Sequence, residues 1–189
     1  MSENGKPALS GALLREEQNI LACAQASNLL QEDYISYIDS VVLSDMKVIV
    51  VSGARSNVGK THLARALCKL LPGAVRIKIG HHPRKPGYDD GYLYPMGTAF
   101  LSIAAEHGNE RFLIIESNRI LDEITPECTI YLPADNPKPS ADIAMKKADI
   151  IRGEPVPVSK ISILAKRMGC DEIVIRKIVE LSGALKEQE

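Results

Sequence analysis

The chain has 189 residues, 45% apolar and 25% charged, with a formal net charge of −1. Such a composition fits one globular domain with additions and enough apolar residues to bury a core. The near-neutral charge argues against a global field that recruits nucleic acid, and the sequence holds no apolar run of about 18 residues for a membrane span.

Residues 1–9 carry Gly5, Lys6 and Pro7 among polar neighbours and are expected to fray. From Leu13 to Leu30 apolar residues recur at helical spacing, and Asp33 to Ser44 predicts a second short helix. The first domain boundary is therefore placed at 45, giving a helical N-terminal extension over 1–45. That extension either packs against the sheet domain or serves as a partner-binding arm.

Val48-Ile-Val-Val-Ser52 is a β-branched run that predicts a buried strand. It leads into Gly53-Ala-Arg-Ser-Asn-Val-Gly59-Lys60-Thr61 and then a helical pattern over His62–Leu71. Gly53 and Gly59 are taken as the glycines of a G-x-x-x-x-G-K-T phosphate loop. Without Cβ atoms the backbone can curl so that successive N–H groups point at phosphate oxygens, and the helix start adds its own free N–H groups. Lys60 is expected to reach the β- and γ-phosphates and Thr61 to place its hydroxyl on Mg²⁺.

Pro72-Gly73 ends that helix, and strands are expected at Ala74–Ile79, Phe112–Glu116, Thr129–Leu132 and Asp149–Arg152. A further helix is expected over Gly97–Glu106. Short apolar strands that do not alternate suit a mostly parallel sheet flanked by helices on both faces, hence an α/β fold of the P-loop NTPase kind over 46–154.

After Gly153-Glu-Pro-Val-Pro157 the composition changes. Ser159 and Asp171 are expected to cap helices over Lys160–Met168 and Glu172–Leu181, a two-helix appendage over 155–189. Their outline resembles helix-turn-helix, but Lys160, Lys166, Arg167, Arg176 and Lys177 are few and partly offset by acids, which favours a packing or dimerising role.

Phe112-Leu-Ile-Ile-Glu116 has the form of a Walker B strand, placing one acid at the sheet edge beside the phosphates, where Glu116 can orient metal-bound water. Ser117 and Asn118 either touch ligand or turn the chain. The segment from Lys78 through His81, His82, Arg84 and Lys85 to Asp90 is read as a loop gripping a second anion or as a solvated loop. Adjacent histidines do not readily share one metal. Tyr88, Tyr92 and Tyr94 come next, either stacking on a ring or packing a hairpin. The loop after the fourth predicted strand, Ala134 to Asp142, is where a base-reading acid can stand; Asp135, Asn136 and Asp142 are its candidates. Cys23, Cys68, Cys128 and Cys170 lie far apart, which suggests a reducing cytoplasm rather than disulfides or zinc.

Over roughly residues 47–153 these pieces resemble the molybdopterin-guanine dinucleotide biosynthesis protein B family of GTP-binding proteins (MobB-like). The likeness rests on Gly53–Thr61, Ile77-Lys78, Lys85-Pro-Gly-Tyr-Asp89, Met96-Gly-Thr-Ala99 and Ile114-Ile-Glu116. The chain departs from the family pattern at Ile79-Gly80 before His81, at Tyr88 and at Ser117. The resemblance implies a homodimeric, Mg²⁺-dependent accessory protein with weak triphosphatase activity. Its ligand would be GTP or ATP, and its partners molybdopterin or a protein of molybdenum-cofactor biosynthesis. Lys60 and Glu116 are the candidate catalytic residues, and Thr61 and Glu116 the candidate metal residues. The nucleotide is expected against Gly53, Ser56, Asn57, Val58, Gly59, Lys60, Thr61, His62, Lys78 and Asp89. Two other classes stay open: a small-molecule kinase on the same scaffold, and a non-enzymatic nucleotide-gated partner-binding module. Neither a membrane nor nucleic acid is expected as a partner.

Overall fold

In a computed structural model the described residues are 46–80 and 91–186, all within one compact unit spanning Asp45–Glu189. The two helices expected before residue 45, and the loop positions His81, His82, Arg84, Lys85, Tyr88 and Asp89, lie outside the described residues.

The chain runs β1 (Lys47–Gly53), α1 (Lys60–Leu70), β2 (Ala74–Ile79), β3 (Tyr92–Tyr94), α2 (Phe100–Glu106) and β4 (Phe112–Glu116). A 3₁₀ turn (Arg119–Asp122) leads to β5 (Cys128–Leu132), α3 (Ala141–Lys146) and β6 (Ile150–Ile151). The end is β7 (Pro155–Val156), α4 (Val158–Met168), α5 (Glu172–Ser182) and β8 (Leu185–Lys186). Strands one to six form one sheet in the order β3-β2-β4-β1-β5-β6, with every pairing parallel. This is an α/β architecture, and its sheet is parallel throughout rather than mostly so.

Period-two geometry divides each strand between the two faces. On one face Ile49, Val51, Phe112, Ile114, Cys128, Ile130 and Leu132 join Leu63, Ala64 and Leu67 of α1 in a single core. Ile161, Leu164 and Met168 of α4 and Ile175, Ile178 and Val179 of α5 belong to that same core. The C-terminal helices thus bury their apolar stripes on the sheet itself. Arg167 donates to Asp149 Oδ1 at 2.6 Å, while Asp149 Oδ2 accepts the Thr129 N–H at 2.9 Å. One of the basic residues of the helix-turn-helix outline is therefore engaged inside the fold.

Local chemistry explains most boundaries. Asp171 caps α5 by accepting from Ile173 N at 2.7 Å, and Gly169 and Gly183 end α4 and α5 in the left-handed region. Ser159 does not cap α4. That helix begins earlier, after Pro157, whose extended backbone leads directly into Val158. α2 also starts later than expected, at Phe100, where the Glu123 carboxylate accepts its N–H at 3.0 Å. β3, α3 and the short parallel pair β7–β8 are not foreseen from the sequence.

Because all six strands run the same way, Gly53, Ile79 and Glu116 end at a single edge. Chain order reverses around β1: β2 to β4 lie on one side of it and β5 and β6 on the other. Crevices at such switch points are the usual ligand sites of open α/β sheets. The β1–α1 loop occupies this one.

Candidate functional site

The β1–α1 loop spans residues 54–59 and is tied at both ends. Five residues separate Gly53 from Gly59, one more than G-x-x-x-x-G-K-T allows. The octet in register with Lys60-Thr61 therefore begins at Ala54. Gly53 closes β1, and its part is close approach. A Cβ there would lie 2.7 Å from Val58 Cγ2 and 3.1 Å from the Leu132 carbonyl oxygen. The tight curl falls later, where Asn57 and Gly59 have φ of 64° and 98°. At Gly59 a side chain would be strained in that conformation.

Asn118, just beyond β4, braces the start of the loop. Its Oδ1 accepts the Gly53 N–H and its Nδ2 donates to the Gly53 carbonyl, each at 3.0 Å. At the far end Arg152 donates to the Val58 carbonyl at 3.2 Å and to the Ser182 carbonyl of α5 at 3.0 Å. No motif marked Arg152; only the packed tertiary structure brings it to the loop.

The first turn of α1 meets the end of β4 at a buried carboxylate. Thr61 Oγ1 donates to Glu116 Oε2 at 2.7 Å. Arg76 of β2 donates to Glu116 Oε1 at 2.8 Å, and both of these charged side chains are only 1% exposed. Register explains the encounter: Arg76 pairs with Ile114 and Lys78 with Glu116, so all four project from one face, which is the face α1 covers. Gly91 lets the chain pass over this pair, since a Cβ there would come within 2.8 Å of the Arg76 carbonyl oxygen and 3.0 Å of its guanidinium. Sequence reasoning missed Arg76. The available signal was a charged residue between Val75 and Ile77 in an apolar strand, which demands a buried partner.

Lys60 is half-buried and donates to the Arg55 carbonyl at 2.7 Å, within its own loop. Its pKa is lowered, chiefly because burial strips water from the ammonium. Glu116 pulls it back up, while Lys138 and Lys78 push it further down. The structure thus collects Gly53, Ser56, Asn57, Val58, Gly59, Lys60, Thr61, Lys78 and Glu116 around one sheet edge. His62 is exposed on the first turn of α1. Asp89 is outside the described residues.

The remaining candidates have definite places as well. Tyr92 packs edge-on against His107, with ring centroids 4.4 Å apart, and the Tyr94 hydroxyl meets Glu106 and His107. These tyrosines pack β3 onto α2. Asp135, Asn136 and Asp142 are exposed on and after the β5–α3 connection. Among the described residues no cluster of three or more His, Cys, Asp or Glu could hold a metal ion, and no helix is long and apolar enough to cross a membrane. No protein-family model matches the chain, and no curated protein matches it significantly.

Thr61 and Glu116 present hard oxygen atoms, the donor type Mg²⁺ accepts, and a magnesium ion on a triphosphate needs few protein ligands. Both Glu116 oxygens are already bonded, to Thr61 and to Arg76. The residues fit a Mg²⁺ ion that the Thr61 hydroxyl would hold, with Glu116 fixing the direction of that hydroxyl.

Proposed function

We propose that this chain binds a nucleoside triphosphate with Mg²⁺ in the β1–α1 loop, as P-loop proteins do. By its resemblance to the MobB-like family we propose GTP as the bound nucleotide and an accessory role in the attachment of GMP to molybdopterin. The observation that carries the reading is the Thr61–Glu116 hydrogen bond of 2.7 Å. It joins the helix after the glycine-containing loop to the acid at the end of the adjacent strand, the two positions that a phosphate loop and a Walker B strand must bring together.

In this arrangement the loop amides and Lys60 hold the β- and γ-phosphates. Lys60 exchanges the Arg55 carbonyl for a phosphate oxygen and counters charge developing there. Bound Mg²⁺ would supply further neutralisation of that charge. Both Glu116 oxygens are engaged by Thr61 and Arg76, so we take Glu116 as the group that holds Thr61 and not as one that positions an attacking water. Slow hydrolysis is the consequence, because positioning of the nucleophile supplies much of the acceleration in phosphoryl transfer.

Equilibrium titration with fluorescent GTP and ATP, each with and without Mg²⁺, tests the reading. Saturable binding strengthened by Mg²⁺ is expected, and no binding of either nucleotide at millimolar concentration would reject it.

Lys60 also gives binding a pH dependence. A triphosphate raises the ammonium's lowered pKa back toward the ordinary lysine range, so binding takes up a proton wherever free Lys60 is neutral. Affinity is expected to be flat below the lowered pKa of the free protein and to fall as pH rises through it. Affinity that holds constant through the whole alkaline range would contradict this placement of Lys60.

A further inference from the structure

We infer that Lys138, carried on the β5–α3 connection, is a second cation for the terminal phosphate and makes the site prefer a triphosphate over a diphosphate. This rests on the proposed nucleotide site and adds a residue outside its motifs.

The mount is rigid. Lys138 stands between Pro137 and Pro139, whose rings fix their own φ and restrict the residue preceding each. Its N–H donates to the Ala54 carbonyl at 2.8 Å, and its carbonyl accepts from Ala141 N at 2.8 Å. The Ala54 N–H donates to the Leu132 carbonyl at 2.9 Å, so strand β5, the connection and the β1–α1 loop are stitched together by main chain. The backbone of Lys138 is thereby positioned with no help from its side chain.

The side chain points at the same stretch of loop that Lys60 grips. Lys60 donates to the Arg55 carbonyl at 2.7 Å, and Lys138 donates to Ser56 Oγ at 3.3 Å. Two ammonium groups therefore stand over consecutive residues, one from the start of α1 and one from the opposite wall. Two like charges so placed repel each other. An anion with several charges between them reverses the sign of that interaction. The end of the nucleotide that meets Lys60 is the β/γ end, so the cation beside it meets the terminal phosphate. The bond to Ser56 is long for a hydrogen bond and solvent-exposed, and little is lost when it is exchanged for a phosphate oxygen.

The test measures GTP and GDP affinities, with Mg²⁺, for wild type, Lys138→Ala and Lys138→Arg. In Lys138→Ala the GTP-to-GDP affinity ratio is expected to drop about tenfold, and Lys138→Arg is expected to recover most of it. The backbone latch survives both substitutions, so an unchanged melting temperature accompanies the effect. An unaltered ratio in Lys138→Ala, or equal losses for both nucleotides, overturns the inference while wild-type binding leaves the nucleotide site standing. If wild type binds neither nucleotide, both fall together.

Discussion

Arg76→Ala is expected to lower folding stability by about 3–5 kcal/mol, because it strands the Glu116 carboxylate without its buried partner. For a unit of this size that corresponds to a fall in melting temperature of roughly 6–20 °C. The cause is the asymmetry of buried ion pairs. With both partners present, attraction offsets desolvation; with one removed, the other keeps its desolvation cost and loses the attraction. Arg76 and Glu116 are each 1% exposed and 2.8 Å apart, so water cannot replace the missing guanidinium without opening the sheet. The double substitution Arg76→Met with Glu116→Gln removes both charges while keeping an acceptor for Thr61 Oγ1, and it should regain most of the loss. Thermal melts of the three proteins decide the matter. An Arg76→Ala variant that melts with wild type would show that the pair does not hold β2 to β4.

Lys60→Ala is expected to weaken triphosphate binding by about 30-fold or more, since truncating one partner of a charge-assisted contact commonly costs about 2–5 kcal/mol. The loss should fall on affinity alone. The Lys60 ammonium is partly desolvated and its hydrogen bond is to a carbonyl of its own loop, so removing it breaks no hydrogen bond of the core. A melting temperature close to wild type should therefore accompany the lost affinity. Equal affinities in the two proteins would remove the phosphate site, and with it the role of Lys138.

The two variants separate questions that a single loss of activity would merge. Arg76 reports on the scaffold that holds Glu116 behind Thr61. Lys60 reports on the anion that the scaffold is built to meet.

Much of the sheet could be read along the chain. β2 and β4 fall at their expected limits because their apolar, β-branched runs are bounded by Pro72-Gly73, by Gly80 and by polar residues. α1, α4 and α5 declare themselves through periodic Leu and Ile with glycine or a capping Asp at their ends. β3 escaped because three residues carry too little pattern, and its order in the sheet comes from pairing with β2. α3 escaped because Asn136-Pro-Lys-Pro139 reads as pure turn, although it delivers Lys138 and then a short helix.

What the sequence determined alone was local: a strand, a loop rich in small and polar residues, a helix over about His62–Leu71, and an acid at the end of another strand. Backbone propensity, capping and hydrophobic period act over a few residues, so those features need no tertiary information. Only the folded chain decided that Glu116 meets Arg76 as well as Thr61, that Arg152 ties the loop to α5, and that α4 and α5 share the sheet's core. Those contacts join residues far apart along the chain. Their geometry comes from strand order and register, which no local pattern encodes.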